Sequence, residues 1–266
     1  MYFYSHTQRI DFVTSVEWNE NRKLLRTYFP VNVKSDWVTY DIQSGVLKRS
    51  LYNNTLHEQA QYEVCGHKFI DISEGSYGVS LLNDCKYGYT WKFNTLGMSL
   101  LRSPKWPYAE ADMGHHEFVY SLYVHDNKNG LKDTQKQSFM LNSPLKIYPI
   151  PYDNVPSGIE ISQSMIEIDQ SNVVLDAFKM SEYDQDQYII RVHEALGYTT
   201  DVQVKLNFLS KSEKKIKSLN VADSLENDKD DSDNNLIGLS NDSAAGDTFH
   251  LLLQPFKILT LKLSFE

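Results

Sequence analysis

Cysteine is scarce in this sequence, and two features common in secreted and membrane proteins are missing. The only cysteines in the 266 residues are Cys65 and Cys85, too few for a disulfide framework. No stretch approaches the roughly 18 consecutive apolar residues of a membrane-spanning helix. The first residues, MYFYSHTQRIDF, lack the basic region and the long apolar run of a signal peptide. We therefore expect a chain that avoids oxidising compartments and has no membrane partner.

The sequence also has fewer basic than acidic residues. The sequence has 26 lysines and arginines against 35 acidic residues, which gives a net charge of −9. Such a surface does not neutralise phosphates, so nucleic acid is not expected as a partner. The eight histidines lack the HxxxH spacing of a helical metal site. Gly-rich phosphate loops, dinucleotide fingerprints and nucleophile signatures are absent from the sequence, so we expect neither a cofactor nor a catalytic centre within this chain.

The sequence is rich in strand patterns. Aromatic residues make up 12% of the chain and favour strands. The densest pattern lies at 76–126, where apolar residues at every second position predict three strands around 79–82, 96–101 and 118–124. Residues 126–138 are polar and predict a connection that turns at Gly130. Alternation gives each strand one buried and one solvent face, which predicts an all-β fold of antiparallel sandwiches.

Prolines and a charged segment divide the predicted fold. We predict a large β-sandwich over 1–150, a Pro-rich linker over 151–163 and a smaller antiparallel sandwich over 164–266. Residues 223–235 read DSLENDKDDSDNN. Because so polar a segment cannot bury enough apolar surface to offset its ordering entropy, we expect a disordered acidic insertion over about 211–246.

Polar side chains crowd the corner that follows the first of the three central strands. Asn83 and Asp84 stand side by side there, followed by Lys86, which could balance Asp84, and by Tyr87. Asp112 lies in the next long connection. Amides and carboxylates held beside a rigid strand can bind hydroxyl groups, so these five residues are candidates for a substrate-facing rim. The alternative is turn capping, because Asn and Asp side chains often bond nearby backbone amides.

The same stretch carries a resemblance to a known family. Its segments YGVSLLNDCKYGY, SLLRSP and EADMGHHEF resemble the C-terminal part of glycoside hydrolase family 38 α-mannosidases, of the fungal vacuolar and cytosolic type. Other segments match the family in the same order: VEWNENRKLLRTYFPVNVKS and YDIQSGVLKRSLYNNT before it, and NVVLDAFKMSEYDQDQYIIRVHEALG and LQPFKILTLKL after it. The resemblance covers nearly the whole chain except about 210–246.

The resemblance implies a galactose-mutarotase-like super-sandwich in the first domain. It also implies that the chain is the non-catalytic β portion of a zinc-dependent retaining α-mannosidase, where it completes the substrate pocket and supports assembly. The zinc and the aspartate nucleophile would lie in an N-terminal catalytic domain that precedes this chain, so any enzymatic activity would belong to the parent enzyme. The implied partners are that domain, an oligosaccharide with terminal α-mannose, and further copies in a homo-oligomer. The implied location is cytoplasmic or vacuolar.

An alternative from a different functional class is a stand-alone carbohydrate-binding or scaffold β protein without enzymatic activity. Its sugar platforms would be the four tryptophans, Trp18, Trp37, Trp91 and Trp106, although each could instead belong to a core. An upstream reading frame that encodes the HxD zinc motif of the family would favour the mannosidase interpretation. Without such a frame, a chain that acts alone would be favoured.

Overall fold

The computed structural model describes residues 1–149, 164–209, 215–229, 237–239 and 247–266. They belong to two compact units, Met1–Leu145 and Lys146–Glu266. The strands of both units pair in the antiparallel sense, which confirms the predicted all-β fold. No helix among the described residues is long and apolar enough to cross a membrane. The predicted linker at 151–163 lies outside the described residues.

The first unit is built from two sheets. Its strands, in chain order, are β1 (Tyr2–Phe3), β2 (Arg9–Trp18), β3 (Leu24–Pro30), β4 (Trp37–Ile42), β5 (Gly45–Ser50), β6 (Val64–Cys65), β7 (Phe69–Ser73), β8 (Tyr77–Asn83), β9 (Gly88–Lys92), β10 (Thr95–Arg102) and β11 (Gly114–Asp126). One sheet has the order β1-β2-β11-β8-β7-β4-β5, and the other has the order β3-β10-β9-β6. The three strands predicted within 76–126 are β8, β10 and β11, so alternation located the centre of this unit correctly.

The core of the first unit lies between its two sheets. Ile70 of β7 pairs with Leu81 of β8 in the larger sheet, and both side chains are fully buried. They share one hydrophobic cluster with Leu96 and Met98 of β10 in the smaller sheet. Alternate residues of each strand point inward, which brings these four together. Full burial of one such side chain contributes roughly 1.5–3 kcal/mol to folding.

Helix α2 (Leu131–Asn142) packs against β7, β8 and β11 of the larger sheet. The turn expected at Gly130 is present, with a φ of 58°, but the sequence patterns did not predict the helix that follows it. The buried residues of this helix are Thr134 and Ser138. A helix that buries hydroxyl groups has no apolar repeat of period 3.6, so the sequence pattern cannot reveal it.

The second unit also has two sheets. Its strands, in chain order, are β12 (Ile166–Ile168), β13 (Val173–Met180), β14 (Gln187–Glu194), β15 (Thr200–Leu206), β16 (Ile216–Ala222), β17 (Ile237–Leu239), β18 (Thr248–Leu253) and β19 (Ile258–Phe265). The sheet orders are β12-β15-β18-β17 and β13-β14-β19-β16. Inward-pointing residues of β15 and β19 meet in one buried cluster that includes Val202, Val204, Leu206, Leu259, Leu261 and Leu263. The alternation read from the sequence is thus confirmed for both strands.

Part of the expected acidic insertion at 211–246 is ordered. It contains β16, and the chain then turns back so that Ala222 bridges Asp228. The carboxylate of Asp223 accepts hydrogen bonds from the backbone N–H groups of Leu225 (2.8 Å) and Asn227 (2.9 Å). The expectation of disorder was therefore wrong for 215–229, because β16 buries Leu219 and Val221 in the core of the unit and the carboxylate of Asp223 bonds the turn that follows. Except for 237–239, the rest of that insertion lies outside the described residues.

Candidate functional site

The corner between β8 and β9 begins at Asn83, whose side chain is fully buried. Its amide nitrogen donates to the carbonyl oxygen of His67 (2.7 Å) and contacts the hydroxyl of Tyr89, and its amide oxygen accepts from the backbone N–H of Lys86 (2.5 Å). Burial raises the pKa of Tyr89 well above its usual value, so its hydroxyl stays protonated and donates to the same His67 carbonyl (2.9 Å). Asn83 thus holds the turn together from inside and does not face solvent.

Asp84 is half-buried and fixes the corner to β11. Its backbone N–H donates to the carbonyl oxygen of Val119 (3.1 Å), and its Oδ2 accepts from the backbone N–H of Val119 (2.9 Å). Its Oδ1 is buried without a hydrogen-bond partner among the described residues. One carboxylate oxygen therefore caps the turn, as the capping interpretation expects, and the side-chain donor to this carboxylate is the weak thiol of Cys85.

The remaining corner residues differ in exposure. The ammonium of Lys86 lies 4.6 Å from the ring centroid of Phe118, and no ion pair with Asp84 forms in the described part of the chain. Burial first, and Asp84 second, raise the pKa of the Cys85 thiol to about 11, so this thiol adds no charge at neutral pH. Tyr87 is 49% exposed and is the outermost side chain of the corner.

Asp112 is not brought to this corner. It lies in the connection that precedes β11 and has a positive φ of 57°. Its Oδ2 accepts a hydrogen bond from the backbone N–H of Arg102 (3.0 Å). Asp84 is bonded to Val119, which lies five residues after Gly114 at the start of β11, or about 17 Å along the strand. Asp112 therefore caps a separate turn.

Among the described residues, no three His, Cys, Asp or Glu side chains converge on a point where a metal ion could sit. The adjacent His115 and His116 instead contact the carboxylate of Glu17 (2.7 Å) and the carbonyl oxygen of Asp112 (2.9 Å). The described residues do not offer the ligand set of a zinc ion.

A cleft of about 990 Å³ lies in the first unit, and sequence patterns did not indicate it. We name it the arginine cleft because Arg26 of β3 and Arg49 of β5 both line it. Its remaining walls come from β9 and from the short helix α1 (Leu56–Gln59). Its aromatic lining comprises Tyr28, Tyr40, Tyr52, Tyr62, Tyr89, Trp91 and Phe93. Residues from two sheets and a loop meet here, and no local sequence spacing relates them.

The four tryptophans have different environments. Trp18 is only 7% exposed and belongs to the core, so it is not a sugar platform. Trp91 is half-buried and lines the arginine cleft. Trp37 and Trp106 are 52% and 85% exposed. Exposure alone does not assign these two side chains a ligand.

Comparison with known families finds two matches that follow the chain in order. Residues 1–110 match the glycosyl hydrolases family 38 C-terminal domain. Residues 172–261 match the glycosyl hydrolases family 38 C-terminal beta sandwich domain. Both matches describe the C-terminal region of one family, and each falls within one structural unit.

Similar full-length proteins are named as α-mannosidases. The alpha-mannosidase of Saccharomyces cerevisiae is 35% identical over 97% of this chain, which spans 24% of that protein. Alpha-mannosidase G of Dictyostelium discoideum is 37% identical over 73% of this chain, or 18% of its own length. A solved alpha-mannosidase from Enterococcus faecalis has the same fold over 98% of this chain and 28% of its own, with a TM-score of 0.75 and 16% identity. The chain thus spans about a quarter or less of these relatives and belongs to glycoside hydrolase family 38, as a C-terminal region.

Proposed function

We propose that this chain is the non-catalytic β portion of a zinc-dependent retaining α-mannosidase and completes the substrate pocket through the Asp84 corner. The observation that carries the proposal is the half-buried Asp84 carboxylate, whose Oδ1 accepts from no N–H or O–H group of the described residues and whose neighbouring Cys85 thiol is a weak donor. Buried polar atoms are nearly always hydrogen-bonded, so in this proposal a stronger donor from outside the described residues reaches the carboxylate in the assembled enzyme. A hydroxyl of the sugar is such a donor.

The neighbours of Asp84 explain how the corner would be held for binding. Val119 fixes both the backbone and one carboxylate oxygen of Asp84. Asn83 closes the turn from the core side, so it positions the corner without touching substrate. Tyr87, at the exposed edge, supplies a ring and a hydroxyl for a second contact. A fixed acceptor costs little reorganisation when the sugar binds.

The proposed division of labour follows the resemblance to the family. In this proposal the metal and the nucleophile belong to the N-terminal catalytic domain of the parent enzyme, and the described residues of this chain bring no three metal-ligating side chains together. The substrate would be an oligosaccharide with terminal α-mannose, hydrolysed with retention by that domain. The other expected partners are that domain and further copies of the enzyme, in the cytoplasm or the vacuole.

The decisive experiment replaces Asp84 by Asn in the full-length enzyme. Loss of a charged hydrogen bond costs about 1.5–3 kcal/mol, so kcat/KM should fall roughly ten- to a hundredfold. The melting temperature should barely move, because the amide oxygen can still accept from Val119. Asp112→Asn is the matched control: it makes the same chemical change in a separate turn and should leave kcat/KM unchanged.

Two results would contradict this proposal. If Asp84→Asn kept full activity and lost stability, Asp84 would be a turn cap only. If the isolated chain hydrolysed aryl α-mannosides and lost that activity to a chelator, the chain would contain its own catalytic centre. The stand-alone alternative makes a different prediction, since it requires sugar binding by the isolated chain that a catalytic domain does not improve.

A further inference from the structure

We propose that the arginine cleft binds a sugar that bears an oxyanion, either a phosphate or a carboxylate group. This inference goes beyond the proposed function, because it concerns other residues and another ligand chemistry. It starts from two guanidinium groups, those of Arg26 and Arg49, each of which has one nitrogen without an acceptor among the described residues.

Arg49 makes fewer hydrogen bonds within the described residues than Arg26 does. Its guanidinium carbon lies 4.4 Å from the ring centroid of Tyr40, and one terminal nitrogen is buried with no acceptor among the described residues. Burial raises the pKa of Tyr40 to about 12, with Arg49 opposing the shift, so the ring below the cation is uncharged at neutral pH. Stacking fixes the guanidinium plane and leaves its edge for an incoming ligand.

Arg26 approaches the cleft from the other sheet. Its side chain is 14% exposed, and its contact with Glu63 is long, at 3.4 Å. A second nitrogen donates to the hydroxyl of Thr90 (3.2 Å), and its buried Nε has no acceptor among the described residues. Planar guanidinium groups bind carboxylate and phosphate oxygens through paired N–H donors. In this proposal Arg26 and Arg49, which line the same cleft, both donate to the oxyanion of the ligand.

The charge balance of the cleft favours an anion. Lys92 adds a third cation to the lining. Glu58 is an acidic residue of the lining, but its Oε2 already accepts from the backbone N–H groups of Asn54 and Thr55 (both 2.9 Å) at the start of α1. These bonds lower the pKa of Glu58 and commit its charge to the helix terminus.

The aromatic lining accounts for the sugar part of the ligand. Tyr28, Tyr62 and Phe93 are 57%, 82% and 88% exposed. Arg26 lies over the ring of Tyr28 (5.4 Å) and Lys92 over that of Phe93 (5.2 Å), which leaves the other face of each of these two rings for a ligand. Such rings stack on the C–H face of a sugar, and a tyrosine hydroxyl can bond its hydroxyl groups. A volume of about 990 Å³ lies at the upper end for small-ligand pockets and holds a mono- or disaccharide.

The test is calorimetric titration of the full 266-residue chain with mannose 6-phosphate, mannuronate, inorganic phosphate and neutral mannose. The two anionic sugars should bind at least about tenfold more tightly than mannose. Added salt should weaken the binding of the anionic sugars, because it screens the charge interaction. The two anionic sugars distinguish a phosphate site from a carboxylate site. Inorganic phosphate shows how much affinity the oxyanion alone provides.

Variants assign the binding to the cleft. Arg49→Gln should reduce the affinity for the more tightly bound anionic sugar by about tenfold. Arg49→Lys keeps the charge but loses the planar pair of donors, so its affinity should lie between that of the natural chain and that of Arg49→Gln. Arg102→Gln, at an exposed position outside the cleft, is the control. Unchanged melting temperatures establish that each variant is folded. Equal binding of mannose and the anionic sugars, affinity unaffected by Arg49→Gln, or no binding of any probe at millimolar concentration would overturn the inference.

Discussion

The imidazole of His125 and the carboxylate of Asp71 form an ion pair beside helix α2, with Nε2 and Oδ2 2.8 Å apart and only 1% and 2% of the side chains exposed. Ser80 donates to the same carboxylate oxygen (2.7 Å) and contacts the hydroxyl of Thr134 in α2 (2.8 Å). The helix therefore packs on the sheet through a polar network as well as through apolar contacts. Such a network is stabilising only while each member keeps its partner.

This pair predicts a pH dependence of folding stability. Burial lowers the pKa of His125, but the hydrogen bond and charge of Asp71, followed by the hydrogen bond to the backbone carbonyl of Asp126 and the charge of Asp133, outweigh burial and raise it above 6.5. The stabilisation is therefore complete below about pH 6.5 and declines as pH rises through the folded-state pKa. Urea unfolding between pH 5 and 9 measures this decline.

The control for that measurement is His125→Gln, which keeps a polar side chain but does not titrate. Its stability should change less across the same pH range than that of the natural chain. His125→Ala should cost about 3–5 kcal/mol at pH 6, because it leaves Asp71 buried without its cation. Parallel pH profiles for the natural chain and His125→Gln would assign the dependence to other groups.

In the second unit, Glu194 should give folding stability a pH dependence opposite in sign to that of His125. Burial raises its pKa, but bonds from the amide of Asn172 and from the N–H groups of Phe256, Leu196 and Gly197 outweigh burial and lower it. Its contribution is present above the unfolded pKa of about 4.3 and is lost as pH falls through the folded value.

Glu194→Gln should therefore destabilise the chain by about 1.5–3 kcal/mol at pH 7 in urea unfolding, and by less near pH 3. Glu167→Gln makes the same change at an exposed position and should have little effect. A cost for Glu194→Gln that does not shrink in acid would contradict this account.

Lys179 contacts two glutamates whose replacement should have different consequences. Its ammonium lies 2.6 Å from both Glu182 and Glu226, but their side chains are 70% and 5% exposed. Glu226 also accepts from the hydroxyl of Ser181 and the backbone N–H of Glu182. Glu226→Ala should cost about 1–3 kcal/mol in thermal unfolding, whereas Glu182→Ala should cost at most about 1 kcal/mol. Equal effects would mean that the turn at 223–229 contributes nothing to stability.

Asn83 should behave as a structural residue. Asn83→Ala removes its bonds to His67 and Lys86 and leaves buried groups unpaired, which should cost about 1–3 kcal/mol in urea unfolding. Asp84→Asn, one residue later, should cost much less. If Asn83→Ala left stability unchanged, its bonds would not be what holds the corner.

The sequence by itself determined the strands and the family. Alternation at β15 is a local signal, because the period of two that buries one strand face is written in consecutive residues. In β8 the apolar alternation located the strand, but both of its faces are buried, because α2 packs against it. The same alternation could not show the helix α2, whose buried residues are Thr134, which contacts Ser80 of β8, and Ser138, which donates to the carbonyl oxygen of Gln135.

Only the tertiary structure decided what the polar residues do. Asn83 and Asp84 are neighbours in the sequence, but one bonds the core and the other bonds β11, because successive strand residues point to opposite faces. Asp112 resembled them in type and was placed at a separate turn. Arg26 and Arg49 come from strands of different sheets, and the unpaired nitrogens that they bring to one cleft exist only once those sheets have packed.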